Sequence, residues 1–240
     1  MSYEPASEIH QDSVPTEQAR TIWAALTDRS GLPVSCQGCV ILLGLATSRP
    51  PSLVSEMLVQ DVDLQKCVWH SPGKRGGYPV HLTRLALALI GHAASLGRGA
   101  GGSLLFPGRV GPRNPLSPVS LSNAYQGVSK VSAQFRRTSD IPDIAAWIMA
   151  EAGVESRLIR AALGKLNRQD IDHISKFFRL QPWLLDASRN ALERLETSLM
   201  RITALKYSDA LFHGVDRRRE PIDPNGLVSP DDVQGGPPHE

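Results

Sequence analysis

Two arginines and a lysine stand at the edges of one helical pair in this chain. Arg136-Arg137-Thr138 precedes an apolar-periodic run through Ala145, Ile148 and Met149, and Lys165 follows a second run from Glu155 to Leu163. Gly153 separates the runs and Gly164 ends the second, the punctuation expected of two helices joined by a tight turn. Guanidinium and ammonium groups at such edges can hold an anion, and the guanidinium fork matches two oxygens of a phosphate. A further basic pair, Lys74-Arg75, sits inside Ser71-Pro72-Gly73-Lys74-Arg75-Gly76-Gly77, a turn dense in chain breakers between two strand-like runs. Such a tip contacts phosphates on a DNA-facing surface and is a solvated turn elsewhere. Cys36-x-x-Cys39 and Cys67-x-x-His70 have ligand-like spacings. Cys39, however, leads into a buried run, and Cys67 and His70 fall on opposite faces of a strand. Packing cysteines are commoner, so no metal and no cofactor are expected.

The elements that must position these groups are mostly helical. Residues 1–14 are polar and read as disordered, and Thr16 is placed to cap a first helix with Ile22, Ala25 and Leu26 on one face. Cys36 to Thr47 is apolar almost throughout and reads as a buried helix, ended by Thr47-Ser48-Arg49-Pro50, with another helix over Ser52 to Leu58. Cys67–His70 and Tyr78–Leu82 read as a β-hairpin, and Arg84 to Leu96 as an amphipathic helix. Leu116-Ser117 opens the next helix. A long helix from about Trp183 to about Leu211 carries Leu185, Leu192, Leu195, Leu199 and Ile202 on one narrow face. That stripe either packs on its own domain or docks on a neighbouring subunit. Residues 213–240, with Arg217-Arg218-Arg219 and a Pro/Gly/Asp-rich end, read as a disordered tail. The expectation is one α+β, mainly α domain over residues 15–212.

Bulk properties exclude less than they permit. A net charge of +2, from 26 basic against 24 acidic residues, is too balanced to prove nucleic-acid binding by itself, although the acids gather at the termini. No apolar run approaches the ~20 residues that span a bilayer. Three cysteines do not suggest a secreted disulfide framework, and Met1-Ser2-Tyr3-Glu4 lacks the regions of a signal peptide. These features lead to the expectation of a cytoplasmic protein with no membrane partner.

In segment order the chain resembles the catalytic domain of the tyrosine recombinase (phage integrase) family, a helical bundle with a small antiparallel sheet. That family's His-x-x-Arg-Arg-Thr segment is matched by Ala133-Gln134-Phe135-Arg136-Arg137-Thr138, and its Leu-Gly-His by Leu163-Gly164-Lys165. Its first arginine, in an Arg-Pro turn, is matched by Arg49-Pro50, with Ser52 where the family has Glu. Leu105-Phe106-Pro107 with Pro115-Leu116-Ser117 resembles a further stretch, and Lys74 sits where the family's hairpin lysine would be. The nucleophile region, Tyr-x-Arg in the family, is Phe177-Phe178-Arg179 here. The resemblance therefore implies an active-site frame degenerate at Ala133, Lys165 and Phe177. Phenylalanine cannot attack phosphorus and alanine cannot donate a proton. What it leaves is a phosphate-binding set of Arg49, Lys74, Arg75, Arg136, Arg137, Lys165 and Arg179.

The leading expectation is a catalytically inactive, recombinase-like protein that binds double-stranded DNA in a regulatory or accessory role on a mobile genetic element. Its long helix would reach a second copy or a related recombinase. An active recombinase using a displaced nucleophile such as Tyr207 is one alternative. A protein–protein module built on the same fold is another.

Overall fold

The structure is a computed structural model and describes residues 13–72, 78–96, 103–108, 111–128, 135–165, 180–206 and 210–212. It is mainly helical with a small antiparallel sheet, as the sequence pattern predicts. The centre is α2 (Cys36–Thr47), where every residue from Gly38 to Thr47 is buried. A helix apolar on all sides has to be enclosed, and α2 touches α1 (Val14–Leu26), α3 (Pro51–Ser55), α4 (Arg84–Leu96), α5 (Pro118–Gln126), α6 (Ile141–Glu151) and α8 (Leu180–Thr203). The short α7 (Ser156–Ala162) lies between α6 and α8 and contacts both.

The sheet has the order β1–β2–β3, from Val62–Asp63, Val68–Ser71 and Tyr78–His81, all antiparallel. Val68 faces His81 and Trp69 faces Val80 across β2 and β3, and α8 packs along β3. Trp69 is fully buried while His70 is exposed, the alternation expected of a strand with one face on a core. A second ribbon pairs β4 (Pro107–Gly108) with β5 (Gly111–Pro115), a stretch that reads in sequence as a Gly/Pro/Arg-rich loop.

Several boundaries differ from the sequence expectation. The first helix is capped by Ser13, whose Oγ accepts the Thr16 N–H, so this helix starts inside the segment read as disordered. Thr16 instead donates its hydroxyl to Glu151 on α6 at 2.9 Å. The helix after Arg49 runs from Pro51 to Ser55 and stops short of Leu58, which pairs with Leu104 instead. Strand β2 begins at Val68, since Cys67 takes a left-handed φ of 54°. The long helix ends at Thr203, not near Leu211: Ala204 turns left-handed at φ 55°.

The apolar stripe of α8 is internal. Leu192, Leu195, Leu199 and Ile202 are all buried in the common core, against α1, α6, α7 and β3. Glu196 on the same helix is also buried and accepts the Leu85 N–H at 2.9 Å, capping the start of α4. Of the two readings of the stripe, packing on its own domain is what these leucines do. Among the described residues, no helix is long and apolar enough to cross a membrane.

Leu199→Ala should consequently cost about 2–5 kcal/mol of folding stability, as for other fully buried leucines. Urea denaturation measures the loss. Light scattering should find the oligomeric state unchanged, whereas a stripe that joined subunits would change it.

Candidate phosphate-binding site

Arg49 is delivered by the way α2 ends. Ser48 adopts a left-handed conformation (φ 55°, ψ 36°), and its N–H and that of Arg49 return to the Gly44 carbonyl, the latter at 2.9 Å. This closure turns the chain back over the last turn of the helix. Gly44 is required there, because a Cβ would lie 2.8 Å from the Arg49 carbonyl oxygen. Pro50 and Pro51 then start α3. Arg49 leaves this turn only 6% exposed.

The guanidinium of Arg49 lies against Gly164. A Cβ at Gly164 would be 3.2 Å from Arg49 Cζ and 3.3 Å from Nη2, with Nη1 nearer still. Gly164 has φ 65°, the left-handed cap of α7. The Lys165 N–H closes that cap on the Arg160 carbonyl at 2.9 Å, and the Gly164 N–H bonds to Ala161. One glycine thus meets two needs: a backbone angle that side chains resist, and room for a guanidinium. Immediately after it, Lys165 points its Nζ at Asp143 Oδ1 on the first turn of α6, 3.5 Å away. Both side chains are more than half exposed, so this pair is weak and solvent-screened.

Arg136 and Arg137 reach the same end of α6 from the other direction. Both are exposed. The Arg137 N–H donates to Asp140 Oδ2 at 2.9 Å, fixing the 3₁₀ turn Thr138–Asp140 that runs directly into α6. That turn touches α3 and α5. Phe135, just ahead, is buried, and its carbonyl accepts the Tyr125 hydroxyl at 2.9 Å. At the start of α6, Lys165 thus meets Asp143 and the Arg137 backbone meets Asp140, with Arg136 next in the chain, while Arg49 lies against Gly164, the neighbour of Lys165. Arg136, Arg137 and Lys165 are open to solvent. Such a surface suits a phosphodiester, held at its oxygens by exposed cations while Arg49 supports the floor.

Of the residues singled out from sequence, Arg49 lies against Gly164 beside Lys165, and Lys165 and the Arg137 backbone each meet a carboxylate at the start of α6. Lys74, Arg75, Ala133, Phe177, Arg179 and Tyr207 lie outside the described residues. Sequence reading missed Asp140, Asp143 and Tyr125. Tyr125 is a phenol beside an arginine pair, but it is buried and bonded to a backbone carbonyl, which does not place it to attack a bound phosphodiester. Burial first, and the Asp140 carboxylate second, raise its pKa, so it stays a hydrogen-bond donor. The spacing Ser-Asp-x-x-Asp after Arg-Arg-Thr was the available signal for the two carboxylates.

The cysteines hold no such cluster. Among the described residues, no group of three or more His, Cys, Asp or Glu side chains is gathered as a metal would need. Cys39 sits within α2, and burial, with Cys36 second, pushes its thiol up to about 12. A raised pKa means less thiolate, so at pH 8 Cys39 should react with Ellman's reagent only after unfolding, well behind Cys36 and Cys67.

Gly164→Ala should cost about 1–2 kcal/mol for the left-handed angle alone, plus the collision with Arg49. Arg49→Ala removes that collision, so the two changes should couple by about 0.5–3 kcal/mol in a double-mutant cycle read by urea denaturation. Strict additivity would mean that the guanidinium does not occupy the place beside Gly164.

The chain matches no protein-family model, no curated protein and no solved structure, so the chemistry of these side chains carries the functional reading.

Proposed function

We infer that the protein binds the phosphate backbone of double-stranded DNA without cutting it, on a scaffold like that of the tyrosine recombinase catalytic domain. The observation that supports this most is the juxtaposition of the Arg49-Pro50 turn with Leu163-Gly164-Lys165. These two segments come from opposite halves of the chain, and both carry the recombinase resemblance. The Arg136-Arg137-Thr138 segment borders the same helix start.

The chemistry of the replaced positions accounts for the absence of cleavage. Strand transfer needs a nucleophile at phosphorus and groups that move protons to and from the reacting oxygens. Phe177 keeps a ring and has no hydroxyl. Lys165 puts a point-charge phosphate ligand where the family has a histidine. Arginines and a lysine with no nucleophile bind a phosphodiester as a stable ligand. A protein of this kind would occupy a site on a mobile element and compete with, or scaffold, an active recombinase there.

Fluorescence anisotropy with a labelled duplex tests this reading. Binding should weaken steeply with salt, because each neutralised phosphate releases counterions. Lys165→Ala and Arg136→Ala, both at exposed positions, should each lower the salt slope by about 1. Salt-independent binding, or none, would defeat the proposal. A covalent adduct on a nicked suicide duplex would instead establish an active enzyme, and Tyr207→Phe would then show whether that tyrosine is the nucleophile.

A further inference from the structure

We propose that the start of α6 also holds a pocket for an unstacked nucleobase, built on Trp147. This inference rests on the phosphate-binding reading of the same helix end and names the form of nucleic acid it would take. On α6, Ile141, Ile144, Ala145, Ile148 and Met149 are buried in the core. Trp147 alone among the large hydrophobic side chains of that helix faces out, 53% exposed. It borders a cavity of about 330 Å³ together with Phe135, Asp140, Asp143 and Ala146. The floor is rigid: Phe135 is buried and its carbonyl is tied to Tyr125.

The lining is that of a base site. An indole face accepts any base by stacking, which is sequence-tolerant. Asp143 stands one helical turn before Trp147, so the two share a face of α6. Each carboxylate has about four lone-pair positions. Asp140 uses part of its capacity on the Arg137 N–H and the Ser139 hydroxyl, and Asp143 part of its own on Lys165. The remainder can accept from the exocyclic amine of cytosine, adenine or guanine, which thymine lacks. A purely cationic occupant fits less well, because Lys165 already approaches Asp143. Lys165 approaches Asp143 of the lining, and the Arg137 N–H is bonded to Asp140, so these cations and the adjacent Arg136 would hold the adjoining phosphates. Bases in an intact duplex are stacked on their neighbours, so the pocket selects single-stranded or locally opened DNA.

The test compares oligo(dC), oligo(dT) and a duplex of equal length by anisotropy at low salt, for the wild type and for Trp147→Ala and Trp147→Phe. Trp147→Ala should weaken oligo(dC) binding about tenfold, with Trp147→Phe restoring most of it, and leave the duplex within about twofold. Oligo(dC) should bind the wild type about threefold tighter than oligo(dT). If Trp147→Ala leaves single-strand binding unchanged, or weakens duplex and single strand alike, the pocket is refuted while phosphate binding stands. If the wild type binds neither form, both readings fail. A basic peptide that binds the wild type but not Trp147→Ala, with DNA indifferent to the change, would assign the pocket to a cationic partner and overturn the base reading.

Discussion

The burial of α2 is the constraint on which the rest of this structure depends. A helix that is apolar on every side cannot lie on a surface, and six other helices supply its enclosure. Enclosure leaves its two ends as the places where backbone polarity must be resolved. At the first end Ser35 caps through its hydroxyl. At the second, a left-handed Ser48 folds the chain back onto Gly44 and throws Arg49 out of the helix and along the inside of the domain. A buried guanidinium is costly unless its surroundings are built for it. Here the surroundings include a glycine whose missing side chain is the space the guanidinium fills. The first cation of the site is therefore a product of helix termination, fixed by the same contacts that fix the core.

The exposed cations follow a different logic. Lys165 is positioned by the cap of α7, and Arg137 by the carboxylate of Asp140, each through backbone hydrogen bonds. Their side chains remain in water and lose little by reaching toward a ligand. The ion pair of Lys165 with Asp143 is exposed and worth on the order of 1 kcal/mol or less. A phosphate could take Lys165 over at small cost. Backbone placement with free side-chain ends is a suitable arrangement for binding a polyanion whose exact geometry varies along its length.

Much of the fold was legible because its signals were local. The continuous apolar run from Val40 to Ala46 announced a buried helix, and Gly153 and Gly164 announced the ends of α6 and α7; both have left-handed angles. The leucine stripe of α8 was legible as a stripe, but its target was not: periodicity says which residues want burial and nothing about what buries them. The ends of elements were less legible. Ala204 takes a left-handed angle without being glycine, and Ser13, not Thr16, caps α1, because two hydroxyl residues stood close together and only packing chose between them. The β4–β5 ribbon was hidden by its Gly and Pro content, which ordinarily argues against strands.

The site divides along the same line. Arg136, Arg137 and Lys165 could be picked out as helix-edge cations from spacing alone. That Arg49 joins them depends on Gly164, and a glycine read as a stop signal carries no trace of the guanidinium that will lie against it. Asp140 and Asp143 stand outside the cationic pattern, yet they hold the turn and the lysine in place. They also make the helix end mixed in charge: Lys165 approaches Asp143, and both carboxylates line a cavity with the Trp147 indole. A surface evolved only to attract phosphate would have little reason to keep acids at its centre, since each lowers the local potential. Their presence makes sense when the ligand is itself mixed, with an anionic backbone and a base that donates hydrogen bonds. Under the proposed reading that combination is a nucleotide, one ligand chemistry for the paired carboxylates, the outward tryptophan and the exposed arginines.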